Sequence, residues 1–77
     1  MQPMNEAVEF ELRGEYITLD ALLKDTGIAL SGGAAKVLIG AGGVHVNGEA
    51  ETRRGRKLRA GDEVACGGQR VRVRAGA

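Results

Sequence analysis

Residues 43–50 read Gly43-Val44-His45-Val46-Asn47-Gly48-Glu49-Ala50, and this stretch decides the fold. Val44 and Val46 point one way and His45 the other, the period-two pattern of a half-buried strand. Asn47-Gly48 then supplies the strongest short hairpin signal, because both residues tolerate the positive φ that a two-residue turn demands. The chain should turn there, with Glu49 to Arg54 returning as the partner strand until Gly55 breaks it. Gly61-Asp62 predicts another turn before Val64 and Cys66 resume the alternation. Gly67-Gly68 then leads into Gln69 to Arg74, where Val71 and Val73 face inward and Arg70, Arg72 and Arg74 face out together.

Upstream the period changes. Val8, Phe10 and Leu12 alternate with Glu9, Glu11 and Arg13, which predicts a short strand ended by Gly14. Thr18 is placed to cap a helix whose Leu19, Leu22 and Leu23 share a face, with Ile17 before the cap stapling against Leu22 and Gly27 stopping it. Ser31 is a second cap, followed by Ala35, Leu38 and Ile39 at helical spacing until Gly40, Gly42 and Gly43 make continuation costly. Gly32 and Gly33 in the first turn of that helix serve either close approach of a partner backbone or tight packing of the two helices.

The pattern is therefore α+β: a strand and two short helices followed by hairpin strands, in one domain spanning 1–77 with short flexible tails at 1–6 and 75–77. With 77 residues, no tryptophan and only Phe10 and Tyr16 as aromatics, a second core will not fit, and few apolar residues are left to wall a deep substrate pocket. Cys66 is the only cysteine, which excludes an internal disulfide and a zinc site built on several thiolates. Its place on the inward side of a strand predicts a buried structural thiol. His45 has no acidic or thiol partner at ligand spacing and is expected on the surface of the hairpin. No cofactor, metal or catalytic residue is expected: no second histidine exists to activate Cys66, and no glycine run matches a phosphate-binding loop. Without a long apolar stretch or a leader-like N-terminus, the chain is expected to be soluble and cytoplasmic, with no membrane partner.

The formal net charge is only +1. Its distribution is uneven: residues 1–30 hold Arg13 and Lys24 against six carboxylates, a balance of −4, and residues 31–77 hold nine cations against Glu49, Glu51, Asp62 and Glu63, a balance of +5. Arg53, Arg54, Arg56, Lys57 and Arg59 form the densest group, and like charges this close repel unless a polyanion is nearby. A solvated, solubilising loop is the plainer reading of the same residues. Arg70, Arg72 and Arg74 would stand about 6.6 Å apart on a regular strand and could track phosphates. A charged terminal strand also guards against edge-to-edge pairing, so that row has two readings. Lys36, just past the first turn of the second helix, lies where an ammonium and free backbone amides would both favour a phosphate. With almost no aromatic rings, reading single strands by base stacking lacks its usual tools, and binding directed by the shape of folded or double-stranded RNA fits better.

The order of parts resembles the RNA-binding domain first named from ribosomal small-subunit protein four, the S-four domain or αL motif. The resemblance rests on Thr18-Leu19-Asp20-Ala21-Leu22-Leu23, on Ser31 followed by Ala35-Lys36, on Ile39 with Gly43-Val44-His45-Val46-Asn47-Gly48, and on Leu58-Arg59-Ala60-Gly61-Asp62-Glu63-Val64. It covers about residues 17–66. It implies two helices on a small antiparallel sheet, with RNA bound at the helix pair and the adjoining hairpin loop. Lys36, Arg53 and Arg54 match positions that are typically basic in the family. Many members carry an arginine directly after the serine where this chain has Gly32, and the Ser31-Gly32-Gly33 version looks like that of small bacterial proteins consisting of little more than this domain. That shifts the expected site toward Arg53 to Lys57.

The expectation is thus a non-enzymatic protein, monomeric, that docks on structured RNA such as ribosomal or transfer RNA, with association to the ribosome as one setting. Its RNA-binding residues are expected to be Ser31, Lys36, Arg53, Arg54, Arg56, Lys57 and Arg59, together with the row Arg70, Arg72 and Arg74. Two rivals come from other classes. A β-grasp sulfur carrier would share the small size and the Asn-Gly and Gly-Asp turns but requires a terminal Gly-Gly, whereas this sequence closes on Arg74-Ala75-Gly76-Ala77. A protein-interaction module would use the acidic N-terminal half.

Overall fold

A computed structural model describes residues 7–76. Along them run β1 (Val8–Glu11), β2 (Ile17–Thr18), α1 (Leu19–Asp25), α2 (Gly32–Gly40), β3 (Val44–Val46), β4 (Glu49–Ala50), β5 (Lys57–Leu58), β6 (Glu63–Cys66) and β7 (Gln69–Arg74). The tail expected at residues 1–6 lies outside the described residues, as does Ala77, while Ala75 and Gly76 are exposed and irregular.

The Asn-Gly signal turns the chain as its chemistry requires. Asn47 and Gly48 take φ of 52° and 88°, both left-handed, and join β3 to β4 in antiparallel register with Val46 opposite Glu49. Asn47 also fastens this turn to the next one. Its main-chain amide donates to the Glu63 carbonyl at 2.8 Å, its side-chain amide donates to Asp62 Oδ1 at 3.0 Å, and its side-chain oxygen accepts from the Glu63 amide at 2.9 Å. Burial works to raise the Asp62 carboxyl, yet the Arg59 amide and the Asn47 side chain hold it below its usual value.

A five-stranded sheet in the order β1-β7-β6-β3-β4 results, with β2 and β5 forming a separate antiparallel pair. Strands β7, β6, β3 and β4 are antiparallel as expected, and β1 adds in parallel beside β7, which makes the sheet mixed. That addition removes β7 from the edge. The edge-protection reading of the Arg70, Arg72 and Arg74 row therefore fails, because β1 and β4 are the terminal strands.

The expected return strand Glu49 to Arg54 is cut short: pairing stops at Ala50. Glu51 is buried and its amide still reaches the Val44 carbonyl at 2.9 Å, after which the chain leaves the sheet to pack across the start of α1. Short β2 and β5, which no alternation announced, pair Ile17 with Leu58 and Thr18 with Lys57.

Leu19, Leu22 and Leu23 of α1, Ala35 and Ile39 of α2, Leu58, and the inward valines Val44, Val46, Val64, Val71 and Val73 form one core, with Ile17 and Leu38 packed against it. Removing a fully buried leucine of this kind costs about 2–5 kcal/mol, a large share of the stability available to so small a domain. Cys66 is a free, buried thiol, as its strand position implied, and His45 is exposed. A side chain built at Gly32 would meet open space, and one at Gly33 only the Ser31 hydroxyl. Tight helix packing therefore does not require these glycines; they leave an uncovered surface at the start of α2.

Candidate nucleic-acid interface

The first amides of a helix have no acceptor within it and must find one elsewhere. In α1 the Leu19 amide donates to the Arg56 carbonyl at 2.9 Å and the Asp20 amide to the Arg54 carbonyl at 3.0 Å. Thr18 occupies the N-cap position but makes no side-chain cap; its hydroxyl donates to Asp20 Oδ1 at 2.7 Å, which also accepts from the Ala21 amide. The segment after β4 supplies what the cap does not. Its backbone is thereby fixed across the helix start, and the side chains of Arg53 and Arg54 are turned outward.

Glu51 fixes it from the other side. This buried carboxylate accepts from the Arg53 amide at 3.1 Å and from the Arg53 guanidinium at 3.0 and 3.2 Å, while Arg56 Nη1 donates to it at 2.8 Å. Hydrogen bonds from Arg53 and then Arg56 hold its pKa at about 2 rather than the ordinary 4.5, and the same contact raises the pKa of Arg53. The Arg56 amide closes a turn onto the Arg53 carbonyl at 3.2 Å, with Arg54 and Gly55 at its tip. Arg53, Gly55, Arg56 and Lys57 line a shallow cleft on this surface. Although paired, the Arg53 side chain remains 73% exposed.

Strand β5 extends the surface. Leu58 is buried, so its neighbours Lys57 and Arg59 point outward by the period-two rule. Opposite them Ile17 is turned toward the core and Tyr16 outward, with Lys57 Nζ 5.0 Å and the Arg59 guanidinium 5.8 Å from the tyrosine ring centre. The side-chain cations of Arg54, Lys57, Arg59 and Lys36 have no carboxylate oxygen within 4.0 Å among the described residues, although Asp62 accepts from the Arg59 main-chain amide at 2.8 Å.

The second expected group has a different environment. Arg70 and Arg72 both reach Glu63 Oε2, at 2.9 and 3.5 Å, and Arg74 reaches Glu9 at 3.6 Å and Glu11 at 3.2 Å. The Glu63 carboxyl is held below its usual pKa, first by the hydrogen bond from Arg70. Parallel pairing sets Glu9 beside Arg72 and Glu11 beside Arg74, so these two glutamates of the acidic N-terminal half interleave with the row.

Ser31 caps α2 as expected, its Oγ accepting from the Ala34 amide at 3.1 Å. Lys36 is exposed one turn on, in line with Gly32. Gly32 shares a shallow cleft with Thr18 and Asp20, and the Asp20 amide holds Arg54, so the start of α2 adjoins the docked segment through the start of α1. The contributions that sequence reasoning missed are those of Tyr16 and of the α1 amides. The sequence carried no readable signal for the first, because Tyr16 and Ile17 stand next to each other with no alternation around them.

A sequence profile described as the S4 domain matches residues 10–74, nearly the whole chain. The chain belongs to the S4 domain family. Among solved structures, YbcJ of E. coli is similar at 37% identity over 97% of this chain and 96% of its own, with a TM-score of 0.72. The YbcJ solution structure was described as revealing an αL motif involved in RNA-binding. No curated protein sequence matches the chain. Membership in the S4 family makes this a binding module rather than a catalyst. Among the described residues there is no group of metal-ligating side chains and no helix long and apolar enough to cross a membrane.

Proposed function

We propose that this S4 domain binds folded or double-stranded RNA, and that the bound surface is the segment Arg53 to Arg59 together with Ser31 and Lys36 at the start of α2. RNA binding itself is supported by the family and by YbcJ. The observation that carries the assignment to this surface is the double anchoring of residues 51–57. Their backbone carbonyls cap α1 and Glu51 gathers Arg53 and Arg56, so the side chains of Arg54, Lys57 and Arg59 are displayed from an anchored segment without ion-pair partners among the described residues.

Phosphate contacts position a protein on RNA without reading bases, so such a surface suits shape recognition of an A-form helix, as in ribosomal or transfer RNA. Arg70, Arg72 and Arg74 lie a step down in this proposal, since each must exchange a carboxylate for a phosphate. A monomer acting in the cytoplasm, with ribosome association as one route to its RNA, completes the reading. The sulfur-carrier alternative falls with the family assignment; against the protein-interaction alternative stands only that Glu9 and Glu11 of the acidic N-terminal half pair with Arg74.

Titration of an RNA duplex into the protein across a range of salt concentrations tests the proposal. Neutralising four to six phosphates should give a slope of log K against log salt of roughly −3 to −5. A flat response would rule out phosphate-led docking.

A further inference from the structure

Tyr16 is the only tyrosine in a chain without tryptophan, and the other aromatic, Phe10, is packed against the core. Tyr16 instead stands 45% exposed on the outer face of the β2–β5 pair. Its position follows from the register. Ile17 opposite Leu58 fills the inner face, which leaves Tyr16 across from Arg59 and diagonal to Lys57, where cross-strand side chains meet. Two cations therefore converge on one ring, at 5.0 and 5.8 Å from its centre.

We infer that Tyr16, flanked by Lys57 and Arg59, is a stacking site for one unpaired nucleobase of the bound RNA. The inference rests on the RNA-binding reading and deepens it by naming a second feature of the ligand, an unstacked base next to the duplex that the Arg53–Arg59 segment contacts. Relative magnitudes favour a base over the cations as occupant of the ring. A stacked base contributes about 5- to 150-fold in affinity, an exposed cation–π contact about two- to fivefold, and two cations held at one ring also repel each other. A base that takes a ring face displaces a cation toward the phosphate which that same nucleotide carries. Bases inside a duplex have both faces covered by their neighbours, so the base must come from an overhang, a bulge or a loop. A single ring accommodates one base and reads no sequence, because every base offers a π-face.

With a single tyrosine and no tryptophan, the intrinsic fluorescence of the unmodified protein reports on Tyr16 alone. The probes are a blunt RNA duplex of about 16–20 base pairs, a length that spans successive grooves, and the same duplex carrying a short 3′ adenosine overhang. The overhang duplex should bind at least about fivefold more tightly and quench the tyrosine emission, while the blunt duplex binds with emission little changed. Tyr16→Leu should lose the preference for the overhang and keep blunt-duplex binding, and Tyr16→Phe should retain the preference. An unchanged thermal midpoint in both variants confirms that the fold is intact. Equal affinity of the wild type for the two probes, with unquenched emission, overturns the stacking site and leaves duplex binding standing. Binding of neither probe overturns the RNA reading, and the stacking site with it.

Discussion

Two stretches of this chain are rich in arginine, residues 53–59 and residues 70–74, and folding treats them differently. The second lies on β7, a strand flanked by β1 and β6, and each neighbour brings glutamates to the same face: Glu9 and Glu11 from one side, Glu63 from the other. The first leaves the sheet after Ala50 and crosses the N-terminus of α1; Glu51 takes the guanidinium groups of Arg53 and Arg56, Asp62 takes only the main-chain amide of Arg59, and the cations of Arg54, Lys57 and Arg59 are left facing solvent. Density of positive charge is similar in the two. What separates them is which neighbours the topology supplies, and only the segment at 53–59 is left with charge to offer a polyanion.

The sharpest way to break this comparison is to remove each group separately. Arg54→Ala, Lys57→Ala and Arg59→Ala combined should weaken binding to an RNA duplex by roughly 30- to 100-fold and make the salt slope shallower by about 2 to 3, as for three lost phosphate contacts. The matching triple variant of Arg70, Arg72 and Arg74 should cost less than about threefold in affinity, its ion pairs being partly exposed and individually weak. Far-ultraviolet circular dichroism should show both variants folded. Equal losses in the two would mean that carboxylate pairing does not decide which cations reach RNA.

The next largest effect concerns the anchor of the first segment and is read in stability. The folded-state pKa of Glu51 is about 2, below its ordinary 4.5, so the stability it contributes is fully present above the ordinary value and is lost as pH falls toward 2. Glu51→Gln should melt several degrees below the wild type at pH 7. The two melting curves should converge as the pH is lowered from about 5 to 2, the difference isolating Glu51 from Asp62 and Glu63, which also titrate low. A constant gap across that window would show that the carboxylate charge is not what holds Arg53 and Arg56.

Most of the fold was legible because its signals are local. Asn47-Gly48 and Gly67-Gly68 adopt the left-handed turns their side chains permit, Ser31 caps α2, and the leucine spacing of α1 marks the buried face. Less of the site was legible. Glu49 to Arg54 reads as a strand because nothing within it announces that Leu19 and Asp20, more than thirty positions upstream, will capture the carbonyls of Arg54 and Arg56. The parallel docking of β1 beside β7 is equally non-local, and it converts a row of outward arginines into a row of ion pairs. Side-chain type and spacing predicted which residues face outward; which of these meet a carboxylate depends on pairings between distant strands.

Smaller effects sharpen the comparison at its margins. Lys36→Ala should weaken duplex binding by about threefold and lower the salt slope by about one, one contact's worth, if the start of α2 joins the surface. Glu63→Gln works in the opposite sense. It removes one negative charge from beside Arg70 and Arg72 and costs little stability, because the pairs it breaks are partly exposed. If carboxylate pairing is what keeps the β7 row from RNA, the variant should bind a duplex about twofold more tightly, with a salt slope steeper by up to one, since Arg72 no longer has to exchange a glutamate for a phosphate. Unchanged affinity and slope would place the row beyond the reach of the RNA, and position on the molecule rather than pairing would then distinguish the two arginine groups.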